Sequence, residues 1–315
     1  MRLLLATDLH YSADLAAEVA ANLGAAGARL PADTYDHMAD GKLYWHNLML
    51  VEEGERLCDG LARLVDQEQP DLLILLGDLV NVNWTRNVAA AARRIAALPC
   101  PVRLVTGNHD IYLDEDGCRV QDALAPGDFA TGLRHEIADG LGILYLDLFA
   151  QDAAGLYHKR IDPAATERMD YRPEDIAAAL RLLDAHPQTP WLAFGHVPMT
   201  APDPALRAPG RKIGGAAAHA APLAARLHAP GNLLGVICGH QHFAHFQRFA
   251  HGFHWTLPSL VEYPCAAAIV EWTGREVQAR TVAVDAALAA RSLQPRQAAW
   301  TAGDAPDRAF TWHHP

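Results

Sequence analysis

Positive charge is scarce in this sequence. Lys and Arg together number 26 against 37 Asp and Glu, which leaves a formal charge of −11 over 315 residues. A field of that sign repels phosphate backbones at long range and argues against a nucleic-acid partner. A local cationic centre could still draw in a small anion. Cysteine is sparse as well. The five (Cys58, Cys100, Cys118, Cys238 and Cys265) are odd in number and form no C-x-x-C pair. That pattern argues against a disulfide framework and for buried thiols in a reducing compartment. No apolar run is long enough to span a membrane, so no membrane partner is expected. The opening residues MRLLLATDLH turn polar at Thr7 and lack a cleavage site; they read as the first strand of a cytoplasmic protein. Neither a fixed-period repeat nor a long linker interrupts the chain, which favours one domain.

What the sequence does have is a recurring punctuation. Residues 3–6, 72–76 and 102–105 are short apolar runs, and each stops abruptly at polar residues. They read as buried strands. Between them, Leu50, Leu57, Leu61, Leu64 and Val65 recur at helical spacing and predict a helix over 50–67, and the Ala-rich stretch 86–98 predicts another. Strand, helix, strand, helix, strand is the pattern of parallel βαβ units, whose ligand crevice lies beyond the carboxyl ends of the strands. The second half repeats the design with strands over 142–148, 191–194 and 233–238. A helix over 173–186 carries Pro173, Glu174 and Asp175 in its first turn. Residues 253–257, 266–272 and 276–284 read as an antiparallel set, followed by a short helix and a polar tail.

Polar residues gather at the strand ends: Asp8 and His10, Asp78, Asn108, His109 and Asp110, His196, then His240 and His242. Any one of them alone is an ordinary turn or loop residue. The set is different, because five separate buried strands deliver carboxylate, imidazole or amide groups to one edge. Carboxylates brought together resist ionisation, and divalent cations neutralise them. Asp8 and His10 are two apart in an extended segment and point to one side, and His240 and His242 repeat that geometry. Oxygen and nitrogen donors without thiolate argue for Mn, Fe, Zn or a related ion, and against a closed structural zinc site. The donors outnumber what one tetrahedral ion uses, so two divalent metal ions are expected.

In order, Asp8-x-His10, Gly77-Asp78, Gly107-Asn108-His109-Asp110, Gly195-His196 and Gly239-His240-x-His242 resemble the motif blocks of the calcineurin-like metallophosphoesterase superfamily. The resemblance implies an α/β chain folded as a four-layer α/β/β/α sandwich with two mixed β-sheets, here over residues 1–284, with a helix and tail over 285–315. It implies that Asp8, His10 and His242 hold one metal, that Asn108, His196 and His240 hold the other, and that Asp78 bridges them. His109 is then the catalytic histidine that stabilises the phosphoryl oxygens or protonates the leaving oxygen, and Asp110 orients it through a hydrogen bond. The reaction implied is attack of a metal-bridged hydroxide on phosphorus.

The substrate class is read from details. Purple acid phosphatases carry a tyrosine where Asn81 stands, whereas the compact scaffold and the Pro258–Pro264 block look like the bacterial phosphodiesterase branch. A small soluble phosphodiester is therefore the expected substrate. A phosphomonoesterase or nucleotide pyrophosphohydrolase is the alternative, and a scaffold that has lost catalysis ranks below both. Two long segments, 11–47 and 151–172, could cap the site, with His46, Tyr157 and Arg160 as candidate substrate contacts. A homo-oligomer is left open.

Overall fold

Strands built only of Leu, Ile and Ala cannot present a polar face to water, so they must lie between two apolar layers. The computed structural model describes residues 1–20, 49–111, 132–158, 166–203, 206, 214–292 and 301–314. The chain runs β1 (Arg2–Ala6), α1 (Leu15–Ala20), α2 (Gly54–Glu68), β2 (Leu72–Leu75), α3 (Thr85–Ala96) and β3 (Val102–Leu104). It continues through β4 (Leu133–Ala138), β5 (Leu141–Leu146), β6 (Phe149–Asp152), β7 (Tyr157–His158), β8 (Thr166–Asp170), α4 (Pro173–Ala185) and β9 (Trp191–Gly195). Then come α5 (Ala221–Ala225), β10 (Leu233–Cys238), β11 (His245–Arg248), β12 (Phe253–Thr256), β13 (Ala266–Trp272) and β14 (Glu276–Ala283). The chain closes with α6 (Ala286–Ser292), α7 (Ala305–Arg308) and β15 (Ala309–His313).

Two six-stranded mixed sheets form, in the orders β15-β14-β13-β1-β2-β3 and β11-β12-β10-β9-β5-β4. The alternation of side chains along each central strand then sets the layers. In β1, Leu3 and Leu5 point into a core shared with Ile143, Phe194, Ile237 and Trp255 of the second sheet. Leu4 and Ala6 point the other way, onto Leu57, Leu61 and Leu64 of α2 and Val88 of α3. On the far side of the second sheet, Leu144, Trp191, Ala193 and Val236 meet Ile176, Ala179 and Leu183 of α4 and Leu223 of α5. Helix, sheet, sheet and helix thus stack in four layers around three apolar seams. Among the described residues no helix is long and apolar enough to cross a membrane, and Cys58, Cys100, Cys238 and Cys265 are free thiols.

Three segments depart from the sequence reading. Residues 151–172, read as a loop, contribute to a small antiparallel sheet ordered β7-β6-β8. Its strands alternate irregularly between polar and apolar residues, so no period announces them. Secondly, β12 does not join β13 and β14. It pairs parallel with β10 in the second sheet, Val236 opposite His254. The connection that follows crosses the end of β1, where Leu260 and Val261 donate backbone hydrogen bonds to the carbonyls of Thr7 (3.0 Å) and Asp8 (3.3 Å). Thirdly, the expected tail ends in β15, which pairs antiparallel with β14 at the edge of the first sheet. Its Phe310 stacks on Phe246 with ring centroids 4.0 Å apart, and Trp312 packs on Phe253 at 5.7 Å. The end of the chain therefore closes the seam between the two sheets. Replacing the buried Trp312 by Ala should lower stability by about 3 kcal/mol, read as a reduced urea midpoint with an unchanged m-value.

Candidate metal centre

Beyond the carboxyl ends of β1 and β2 the two chain segments continue side by side. Asp8, His10 and Tyr11 donate backbone N–H groups to the carbonyls of Gly77, Asp78 and Leu79 at 2.9–3.0 Å. The ladder thus carries Asp8, His10 and Asp78 out of the sheet as one unit. Asn108 and His109 follow β3, His196 follows β9, and His240 and His242 follow β10. Five of these residues adopt left-handed backbone: Asp8 (φ 54°), His10 (46°), Asp78 (51°), His240 (70°) and His242 (57°). Side-chain-bearing residues avoid that region, at about 1–2 kcal/mol each. Such conformations persist where the surrounding structure over-determines them, and they cluster at functional sites.

Close packing explains two of the glycines that precede these residues. A Cβ on Gly107 would lie 2.2 Å from Asp78 Oδ1, and one on Gly239 would lie 1.9 Å from Thr7 Oγ1. Any side chain at either position would push a carboxylate out of place.

The polar atoms converge. His242 Nε2 lies 3.2 Å from Asp8 Oδ1, and His10 Nε2 lies 3.7 Å from Asp78 Oδ2. The same Asp78 oxygen is 3.3 Å from His196 Nε2. Asn108 Oδ1 and His240 Nδ1 each approach His196 Nε2 to 3.2 Å. Among the described residues, three groups have ligand atoms mutually within 4.8 Å: Asp8, His10 and His242; His10, Asp78 and His109; and Asp78, His196 and His240. Asp78 belongs to two of them and sits at the middle. Every residue in these groups is buried except His240, which is partly so.

The electrostatics explain why this cluster fits cations. Asp8 Oδ1 is buried and accepts no well-aligned hydrogen bond, although His242 Nε2 is near. His10 Nε2 and His242 Nε2 face each other at 3.3 Å. Two imidazole lone pairs at that distance repel unless positive charge lies between or beside them. Burial disfavours the imidazolium of His242, yet Asp8 and Glu262 beside it push its pKa up to about 9. Burial likewise opposes the charge on His196, and Asp78 overcomes it and pushes the pKa up to about 9. His240 moves the other way, to about 4, because of burial and the neighbouring His196. Burial also resists the charge on Asp8 and Asp78, but His242 on one and His196 on the other hold both carboxyls well below their usual range. A cluster that binds protons this strongly offers the same lone pairs to divalent ions, and loading it would release those protons.

A second layer of contacts fixes the donors. Thr7 Oγ1 donates to Asp8 Oδ2 (2.6 Å), and so does the His240 backbone N–H (3.0 Å). His196 Nδ1 donates to the Leu76 carbonyl (2.7 Å), which turns Nε2 toward Asp78. His242 Nδ1 donates to the fully buried Glu262 (3.0 Å). Glu262 and Thr7 have no role in the sequence reading. The signal for Glu262 was present: an acid inside Leu260-Val261-Glu262-Tyr263, an otherwise apolar stretch between prolines.

The structure brings together Asp8, His10, Asp78, Asn108, His109, His196, His240 and His242. Asp110 is adjacent but does not orient the His109 ring as expected. Its carboxylate accepts backbone N–H groups instead, from Leu79 (2.9 Å) and Gly107 (2.9 Å), and so ties the second strand end to the third. Burial and the nearby Asp78 push its pKa up to about 7. The His109 ring is held by the Asn81 carbonyl, 2.6 Å from Nδ1. Tyr157 lies in the small sheet. Arg168 donates to His219 Nε2 (2.9 Å), so the opposite nitrogen carries the proton of the neutral ring and donates to the Tyr157 hydroxyl (2.6 Å). His46 and Arg160 lie outside the described residues.

The sequence profile of the calcineurin-like phosphoesterases matches residues 1–244. No curated protein matches the chain in sequence. Among solved structures, a dimetal phosphatase of Danio rerio aligns with a TM-score of 0.63 at 15% identity, over 90% of this chain and 96% of its own. A purple acid phosphatase of yellow lupin (Lupinus luteus) seeds aligns at 0.53 and 9% identity, over 100% of this chain and 54% of its own. A protein of Thermus thermophilus aligns at 0.51 and 13%, over 90% and 99%. At these identities the likeness is one of fold.

Replacing Glu262 by Ala should weaken Mn²⁺ binding by about 10–100-fold in a chelator competition, with the secondary structure unchanged. Gln, which can still accept from His242, should lose less.

Proposed function

Because the chain belongs to the calcineurin-like phosphoesterase family, we propose that it hydrolyses a small soluble phosphodiester at this cluster with the help of two divalent ions. The observation that carries the reading is the shared carboxylate: Asp78 lies within reach of His10 on one side and His196 on the other. Asp8, His10 and His242 would hold one ion, Asn108, His196 and His240 the second, and Asp78 both. When bound, two such ions supply positive charge for the phosphoryl oxygens and acidity for the attacking water. The donor set contains no thiolate, which suits Mn, Fe or Zn.

The protein's own share is orientation and proton transfer. Asp8 is fixed by Thr7 and the His240 backbone, so it need not reorganise as charge develops. The His109 backbone N–H donates to Asp78 Oδ1 (2.8 Å), which ties the ring to the bridging carboxylate. A carbonyl can only accept, so the Asn81 contact makes His109 Nδ1 the proton-bearing nitrogen. Nε2 is then the nitrogen whose lone pair can take up a proton released by the attacking water and, from the imidazolium so formed, hand it to a leaving oxygen. An alkoxide leaving group needs that proton, whereas an acidic phenol such as p-nitrophenol leaves without it. The net charge of −11 repels a polyanionic backbone at long range and so favours a small solute over a nucleic acid.

A substrate panel tests the reading. Protein loaded with Mn²⁺, Fe²⁺ or Zn²⁺ should turn over bis-p-nitrophenyl phosphate faster than p-nitrophenyl phosphate and lose activity to a chelator. A clear monoester preference would reject the diester assignment. Asp78→Asn should lose both metal and activity, whereas His109→Ala should keep its metal and lose about 100-fold or more in kcat on esters with poor leaving groups. An Asp78→Asn variant with two metals and full activity would overturn the assigned roles.

A further inference from the structure

Behind His109 lies a buried carboxylate that the metal cluster does not use. Glu18, on the short helix α1, has no exposed surface. Its Oε1 accepts from Ser12 Oγ (2.6 Å) and Asn87 Nδ2 (2.7 Å), and its Oε2 accepts from Asn81 Nδ2 (2.6 Å). Asn81 is the residue whose backbone carbonyl receives the His109 ring at 2.6 Å. We propose that Glu18 is a positioning residue for His109, acting through Asn81, and that it couples the segment after β1 to the proton donor of the phosphoester reaction. The proposal rests on the role given to His109 above.

The loop over residues 79–84 lies between β2 and α3 and has almost no regular hydrogen bonding of its own; its one ladder contact is an isolated bridge from Val80 to Tyr11. Side chains do the rest. Asp110 Oδ1 accepts from the Leu79 N–H, and Asn83 Nδ2 donates to the Asp110 carbonyl (2.9 Å). Asn87 Nδ2 donates to the Val82 carbonyl (2.8 Å), while its Oδ1 accepts from the Ala13 N–H (2.9 Å). Asn81 itself donates its backbone N–H to the Tyr11 carbonyl (3.0 Å). Glu18 is the acceptor at which the Asn81 and Asn87 amides meet. Without it the partly buried Ser12 hydroxyl and Asn81 amide lose their acceptor and the buried Asn87 amide keeps only the Val82 carbonyl, which frees the Asn81 segment to rearrange.

The consequence is specific to the proton donor. The metal-facing atoms of Asp78 and Asn108 are held by contacts in which Glu18 takes no part. A shift of the Asn81 carbonyl changes the direction of Nδ1–H in His109, and with it the direction of Nε2. Proton transfer is steep in both distance and angle, so a small rotation slows protonation of the leaving group while metal and substrate still bind. A merely structural Glu18 would instead lower every rate alike, or lower stability alone.

Leaving-group dependence separates the two. Methyl aryl phosphodiesters whose leaving phenols run from p-nitrophenol to unsubstituted phenol differ in how much they need a proton from the enzyme. With the metal-loaded full chain, Glu18→Ala should lower kcat by about 10-fold on the phenyl ester and by less than about 2-fold on the p-nitrophenyl ester, with KM and metal content unchanged. His109→Ala should show the same pattern more strongly, and the double variant should add nothing to it. Glu18→Gln, which keeps one acceptor, should recover part of the loss. Asn81→Ala breaks the same link from the other side and serves where Glu18→Ala does not fold. Equal losses on both esters in Glu18→Ala and Asn81→Ala, beside a leaving-group effect in His109→Ala, would overturn the proposal and leave the phosphodiesterase reading intact. A wild type with no esterase activity would remove both.

Discussion

Two carboxylates and five imidazoles crowd one water-poor edge of this protein, and what they require of one another shapes everything around them. Asp8 and Asp78 are both buried. Charges of one sign in such a place are tolerated only beside charges of the other. Within the chain that balance comes from protons on His196 and His242: burial opposes them, but the neighbouring carboxylates push both pKa values up to about 9. Cations do the same work with more charge per ligand, and the lone pairs that hold the protons are the ones that would hold the ions.

The scaffold meets this requirement through its backbone. Five donors sit in left-handed conformations that each cost about 1–2 kcal/mol. Regular structure would let successive side chains alternate between faces. The left-handed residues at 8, 10, 78, 240 and 242 break that alternation at the strand ends. Two central sheets, packed on each other and covered on both outer faces, are rigid enough to carry the strain. The strand ends are then laced to one another: Asp8 to Gly77, Leu79 and Gly107 to Asp110, His240 to Asp8.

A common logic runs through the residues behind the cluster. Glu262 stands behind His242 and Glu18 stands, one residue removed, behind His109. Both acids are fully buried, one in an irregular connection and the other in the crossover from β1 to β2. The connection between β12 and β13 brings one, and the short helix after β1 brings the other. A histidine ring has freedom about two torsions, and a second hydrogen bond at its far nitrogen removes most of it.

Much of the fold was legible in the sequence because its central strands are apolar without interruption. Leu72–Leu75 and Leu233–Cys238 could hardly be anything else. The helix over Gly54–Glu68 was visible in the spacing of Leu57, Leu61 and Leu64. Edge strands such as Thr166–Asp170, His245–Arg248 and Ala309–His313 were not legible, since one side of each meets solvent or loops and the alternation is blurred. At the cluster, the residues were visible as motif blocks, but their supports were not. Asp110 was expected to hold the His109 ring, and it holds two strand ends instead, while the loop over residues 79–84 brings the Asn81 carbonyl to that ring. The amino-acid order by itself determined which strands would be buried and which polar groups would stand at their ends, for both follow from local composition and chain direction. Only the tertiary structure decided which acid stands behind which histidine. Glu18, Asn81 and His109, like Glu262 and His242, are far apart along the chain, and contacts at that separation exist only once the sheets have packed.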